Sequence, residues 1–142
     1  MTGSQYKAII DSFHVETNSK YQPTETITYC NIFAQDVMNV CGTPLPDGIC
    51  REMISVLWNG YLLWREVTYQ NAQGNANSGY PTVAITPDHI AVVRPNDDGS
   101  IPNSLREVRI TQAGRTLLNN STLNYGWPPD RLDEIRFFSW GV

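Results

Sequence analysis

One cysteine and one histidine have the types and setting that nucleophilic chemistry needs. Cys30 lies in Ile27-Thr28-Tyr29-Cys30-Asn31, where a β-like run gives way to a helical one. From Cys30 onward, Phe33, Ala34, Val37, Met38 and Cys41 fall on one helical face. A cysteine in the first turn of a helix meets unpaired backbone N–H groups and the positive end of the helix dipole. Both favour the thiolate, which is the nucleophilic form. Far along the chain, Pro87-Asp88-His89-Ile90-Ala91-Val92-Val93 opens an apolar strand with a histidine, the base such a thiol requires. The competing histidine, His14, follows the apolar face of the first helix and precedes a polar loop, so it reads as solvated.

These residues need elements to hold them. Residues 4–14 read as a helix with Tyr6, Ile9, Ile10 and Phe13 on one face, and 15–27 as polar and turn-like. The Cys30 helix is expected over 29–41, with Thr28 as N-cap and Gly42 as its stop. A further helix is expected over 49–59. Residues 62–67 form a short strand or a helix end, and the small polar stretch 70–79 a short helix or a mobile loop. Strands are expected at Thr82–Ile85, His89–Val93, Val108–Gln112 and Ile135–Trp140, with a turn at 95–100. Helices first and antiparallel-looking strands after give an α+β layout, N-terminal helices packed on a small antiparallel sheet, in a single domain spanning 1–142.

Composition narrows the function. The chain of 142 residues is 41% hydrophobic and 17% charged, enough for one real core. A net charge of −4 disfavours non-specific binding to nucleic acid or an anionic membrane. No apolar run approaches the roughly 20 residues of a membrane span. The N-terminus lacks a basic start followed by an apolar stretch, so synthesis in the cytoplasm without a secretory signal is expected.

Three cysteines, Cys30, Cys41 and Cys50, leave at least one free thiol. Cys41 and Cys50 flank the turn-rich run Gly42–Gly48; they read either as two buried small apolar residues or, in an oxidising destination, as a disulfide. The cysteine spacings lack the C-x-x-C hairpin of a zinc site, and no metal is expected. Asn96-Asp97-Asp98-Gly99-Ser100 lacks the spaced ligands of a calcium loop and reads as a turn. Trp58, Trp64, Trp127 and Trp140 read as core residues rather than sugar-stacking platforms.

With the Cys30-Asn31-Ile32-Phe33-Ala34-Gln35-Asp36-Val37 helix start, the His89 strand and the following Arg109-Ile110-Thr111-Gln112-Ala113-Gly114 strand in that order, residues 20–115 resemble the papain-like cysteine amidases and peptidases. Within that group they look closest to bacterial cell-wall hydrolases of the NlpC/P60 and CHAP type. Two features depart from the pattern: Tyr29-Cys30-Asn31-Ile32 replaces the common Asp-Cys-Ser-Gly start, and the residues papain-like proteases place around their cysteine are absent.

The resemblance implies a papain-like fold and a cysteine hydrolase of Cys-His-Gln type that needs no cofactor. Cys30 would be the nucleophile, His89 the base, and Gln112 the residue that orients the imidazole. Cys-His-Asn sites show that a neutral third member suffices. The backbone N–H of Cys30 is the natural first oxyanion donor. The family's upstream tyrosine makes the Tyr21 hydroxyl a candidate second one. Tyr29 would line the cleft or pack on the sheet, and Asp36 reads as a structural or solvated acid.

The implied substrate is a peptide stem of peptidoglycan, reached in the periplasm or cell wall as a secreted toxin-like effector or a lysin. A secretion-system carrier and an immunity or inhibitor protein are the implied partners. The rivals are a protease, deamidase or acyltransferase acting on a protein, and a non-enzymatic binding module on the same fold.

Overall fold

The structure, a computed structural model, describes residues 1–142. It is an α+β fold whose four α-helices surround one six-stranded antiparallel sheet. The elements in chain order are α1 Gly3–Ser12, α2 Cys30–Val40, α3 Cys50–Trp58, β1 Trp64–Val67, α4 Tyr69–Asn77, β2 Thr82–Thr86, β3 His89–Val93, β4 Arg109–Gln112, β5 Leu118–Thr122 and β6 Arg136–Trp140. Short 3-10 segments join them at Ser19–Tyr21, Leu105–Glu107, Leu123–Tyr125 and Pro129–Glu134. The sheet order is β1-β6-β2-β3-β4-β5, so the last strand lies between two earlier ones. No helix is long and apolar enough to cross a membrane.

Local chemistry sets the helix ends. Thr2 caps α1 in a reciprocal box with Gln5, and Thr68 caps α4 by accepting from the Asn71 N–H. The expected Thr28 cap is not the one used. Tyr29 occupies the N-cap position of α2 and makes no side-chain cap bond, which leaves the first-turn N–H groups of α2 free. Gly42 stops α2 as expected, its φ of +74° supplying the left-handed turn that a side chain would resist. The stretch 70–79 is helical rather than mobile. Its buried residues Ala72, Gln73 and Ala76 face inward, and Gln73 bonds the Arg94 carbonyl and the Arg109 N–H across the sheet.

The strands of the centre read as continuous apolar runs because both faces are covered. Val83, Ala84 and Ile85 of β2 and Ile90, Ala91, Val92 and Val93 of β3 are fully buried. From α1, the buried Tyr6 hydroxyl donates to the Val93 carbonyl (2.7 Å) and accepts from the Thr82 N–H (3.1 Å). It thereby clamps the paired residues Thr82 and Val93. Burial is the main reason its hydroxyl is held far above the ordinary phenol range.

A second polar tie is Arg94, 1% exposed. Its guanidinium lies within hydrogen-bonding distance of the Asp11 carboxylate (2.9 Å), the Thr111 hydroxyl (3.0 Å) and the Asn119 carbonyl (2.6 Å). It joins α1 to the outer strands of the sheet.

β5 is the strand the sequence conceals. Leu118-Asn119-Asn120-Ser121-Thr122 is polar, lies at the sheet edge and is only partly buried. Its pairing with β4 slips between Ile110 and Gln112, with one extra residue on β5.

Trp64, Trp127 and Phe138 are buried, and Trp64 packs edge-on against Trp140. Trp58 departs from the core expectation. It is 56% exposed and lies under the Arg136 guanidinium at 4.0 Å, a cation–π stack on the surface.

Candidate active site

Three elements converge at one point. α2 begins with Cys30, β3 begins with His89, and β4 ends with Gln112. α2 packs across β3, and β3 pairs antiparallel with β4 through Val92–Thr111 and Val93–Ile110. The sheet thus brings His89 and Gln112 together, and the helix lays Cys30 beside them.

Gln112 is buried and makes two bonds of opposite kind. Its Nε2 donates to the Thr116 carbonyl at 3.0 Å, and its Oε1 lies 2.8 Å from His89 Nε2. A carbonyl only accepts, so the amide nitrogen must face Thr116 and the amide oxygen must face His89. That oxygen also only accepts, so His89 Nε2 carries the proton. In the neutral ring, Nδ1 is then the unprotonated nitrogen and the free acceptor. The slip in the β4–β5 pairing falls beside this residue, with the extra residue on β5.

Trp127 closes one side of the histidine. Its ring meets the imidazole edge-on, with centroids 4.7 Å apart, and its indole N–H donates to Thr86 Oγ1 at 3.0 Å. Two glycines leave room for the pair. A Cβ on Gly114 would stand 3.3 Å from His89 Cε1, and one on Gly126 would stand 2.6 Å from Gln112 Oε1.

Cys30 is buried, with 7% exposure, and its closest polar partner is a second cysteine. The two sulfurs of Cys30 and Cys50 are 3.8 Å apart. The His89 ring and the Ile90 N–H also act on the Cys30 sulfur. The Cys30 thiol is held well below the ordinary thiol range. The Cys50 S–H bond contributes most, burial opposes it, and the His89 hydrogen bond and charge and the Ile90 N–H add to the lowering. Cys50 moves the opposite way: its hydrogen bond to Cys30, burial and the Cys30 charge hold its proton on. We assign the thiolate to Cys30 because the imidazole and a backbone N–H face that sulfur.

The loop after α2 explains why Cys50 is there. Gly42 turns the chain, and residues 43–49 run back along the helix. Gln35 Nε2 donates to the Pro46 and Gly48 carbonyls, and Asn31 Nδ2 to the Gly48 carbonyl. The seven residues have a reach of roughly 23 Å, enough to retrace the ~16 Å length of α2. α3 therefore starts where α2 starts. Cys41 is left at the opposite end of α2, ~16 Å away. The considered Cys41–Cys50 disulfide is ruled out by that separation, since a bridge needs Cα atoms within about 7 Å. All three cysteines are free thiols.

Two hollows flank the cysteine and histidine and share Thr28 and Asp88. One, of about 230 Å³, is bordered by His89, Gln112, Arg115 and Tyr125. The other, of about 330 Å³, is bordered by Cys30, Asn31, Cys50 and Arg51. Asp88 between them is held by Arg131 at 2.7 Å and faces Arg51 at 3.9 Å.

The two tyrosines stand apart from this arrangement. The Tyr21 hydroxyl donates to Asp36 at 2.6 Å, and its ring packs edge-on against Phe33. Its proton is committed there, so it is not aimed at an oxyanion beside Cys30. Asp36, which also pairs with Lys20 at 2.7 Å, is structural. Tyr29 packs against the core and borders neither hollow, the second of its two expected placements. His14 is exposed, as expected.

Sequence reasoning missed Cys50, Trp127, Thr116 and Gly126 as neighbours of the site. Cys50 had one usable signal: like Cys30, it opens an apolar helical run after a turn-rich segment. No group of three or more histidine, cysteine or acidic side chains is placed to hold a metal ion. Comparison with protein-family models and with curated proteins finds no match to this chain.

Proposed function

We propose that the protein is a cysteine hydrolase of amide bonds, with a papain-like fold of the NlpC/P60 or CHAP type, acting on the peptide stems of bacterial peptidoglycan. The observation that carries this reading is the Thr116–Gln112–His89 chain of hydrogen bonds. It fixes the imidazole tautomer with Nδ1 free, beside a helix-start cysteine whose thiol is acidified.

In the first half-reaction, His89 Nδ1 takes the Cys30 thiol proton, the Cys30 sulfur attacks the amide carbonyl carbon, and the carbonyl π electrons move to oxygen. The Cys30 backbone N–H, without an intrahelical acceptor, faces the developing oxyanion. The C–N bond then breaks, and the imidazolium of His89 gives its proton to the leaving amine. A thioester remains. In the second half-reaction, His89 takes a proton from water, the hydroxide attacks the thioester, and the Cys30 thiolate leaves. Gln112 holds the ring throughout, and Trp127 excludes water from one side of it. The exposed Arg51 guanidinium, at the border of the Cys30 hollow and only loosely paired with Asp88 at 3.9 Å, suits a free carboxylate of an acidic peptide.

The test is incubation of purified peptidoglycan with the protein, with Cys30→Ala and His89→Ala as controls, and mass spectrometry of the soluble products. Released muropeptide fragments, absent with both variants, are the expected result. Wild type and Cys30→Ala yielding the same products would refute it. Cleavage of protein but not of peptidoglycan would keep the chemistry and reassign the substrate.

A further inference from the structure

We propose that Cys30 and Cys50 are a redox modification site: a reversible disulfide between them consumes the nucleophile and switches the protein off under oxidising conditions. The geometry of the pair carries the bond. Its effect on activity rests on the hydrolase reading above.

Both sulfurs are the first residues of their helices, α2 and α3, and they lie 3.8 Å apart. A disulfide needs about 2.05 Å, so each sulfur moves by under about 1 Å. No other cysteine competes, because Cys41 is at the far end of α2. Both cysteines border the same open hollow of about 330 Å³, so a small oxidant has access to the pair. The returning loop, bonded to Asn31 and Gln35, holds the two helix starts together.

With hydrogen peroxide as oxidant, the step balances in two stages. The Cys30 thiolate attacks one peroxide oxygen and the O–O bond breaks, giving a sulfenic acid and hydroxide, which is protonated to water. The Cys50 sulfur then attacks the Cys30 sulfur and the S–O bond breaks. The departing hydroxide takes the Cys50 proton and leaves as a second water. The two sulfurs together lose two electrons, and peroxide gains them. Loss of the Cys30 charge in the first stage also removes an influence that keeps Cys50 protonated. A thiol reductant reverses the bond.

The experiment treats the reduced, purified protein with a few equivalents of hydrogen peroxide near neutral pH, blocks free thiols with iodoacetamide and digests with a protease that cleaves before aspartate. Cuts at Asp11, Asp36, Asp47 and Asp88 put Cys30, Cys41 and Cys50 on three separate peptides. The expected result is a linked pair of peptides 11–35 and 47–87, a blocked Cys41, and loss of two of the three free thiols. Dithiothreitol restores all three and restores hydrolysis. Cys50→Ala gives no linked pair, and its Cys30 passes to sulfinic acid that dithiothreitol does not recover. Cys41→Ala still gives the linked pair, a control independent of Cys50.

Wild-type Cys30 reaching sulfinic acid while Cys50 remains free, or a bond to Cys41, overturns the proposal. So does full activity in the linked form. Formation of the linked pair on oxidation, by a protein that hydrolyses no amide when reduced, would refute the hydrolase reading and leave the disulfide in place.

Discussion

Gln112 Oε1 and His89 Nε2 stand 2.8 Å apart, and the Thr116 carbonyl on the other side of the amide decides which way the proton points. A glutamine alone can be turned either way round. Here the second bond removes that freedom, so the histidine presents a bare Nδ1 without help from a carboxylate. The cost is that a neutral amide stabilises the imidazolium less than an aspartate would. The neighbouring groups that acidify Cys30 become correspondingly more important.

Cys30 is expected to react as a thiolate well below the pH at which ordinary thiols do. Its depressed acidity range follows from the Cys50 hydrogen bond, working against burial, with His89 and the Ile90 N–H adding to it. Alkylation by iodoacetamide, followed by peptide mass spectrometry across pH 3–9, should show Cys30 reacting roughly 10-fold faster than a free thiol at pH 5, where its gain in thiolate fraction outweighs the lower nucleophilicity of a more acidic thiol. The pH profile should inflect below pH 7. Both His89→Ala and Cys50→Ala should move the inflection upward. Cys30 titrating like free cysteine would contradict the assignment.

Gly126→Ala is expected to disable the site without unfolding the protein. Gly126 has φ −92° and ψ −23°, which alanine adopts freely, so no backbone strain enters. The added methyl would stand 2.6 Å from Gln112 Oε1 and push the amide off His89. The rate constant kcat should fall roughly 10–100-fold, approaching that of Gln112→Ala. The melting temperature should drop by only a few degrees. Steady-state kinetics beside thermal unfolding checks this, and an unchanged kcat would show that Gln112 does not need its observed place.

Tyr6→Phe separates stability from chemistry. It deletes the bonds to Val93 and Thr82 and strands a buried N–H, at a cost of about 2 kcal/mol. Urea unfolding should show a lower midpoint with an unchanged slope, while Cys30 alkylation at low urea stays at the wild-type rate.

The Asp11–Arg94 pair should make stability fall in acid. Burial pushes the Asp11 carboxyl up, but the hydrogen bonds and charges of Arg94 and Lys7 outweigh it and hold the group below its ordinary value of 3.8. A carboxyl lowered on folding stabilises fully above that value, and the contribution drains away as pH falls through the folded-state value. Asp11→Asn should flatten the stability loss below about pH 4. At pH 7 it should lower unfolding stability by roughly 2–4 kcal/mol, because Arg94 stays buried with one anionic partner fewer. Chemical denaturation at both pH values measures it, and an Asn variant with the wild-type acid profile would dismiss the pair.

What could be read in advance, and what could not, divides by range along the chain. Cys30 and His89 are legible because each opens an apolar run of clear period, whereas Gln112 comes only through the family resemblance. β5 is not, since Asn119, Asn120, Ser121 and Thr122 form a strand only through pairing with β4. Closeness in sequence pairs Cys50 with Cys41, whereas the folded loop returns it to Cys30. The resemblance implies an oxyanion role for Tyr21, but the hydroxyl follows its strong acceptor, Asp36.

The placing of β6 between β1 and β2 has a consequence for how the protein matures. A ribosome-bound chain that has yet to emit Arg136 through Trp140 leaves two strands facing a gap, and Phe137 and Phe138 are missing from the interior. Until β6 arrives, β1 has no partner strand and β2 pairs on one side only, so the sheet closes last at its middle.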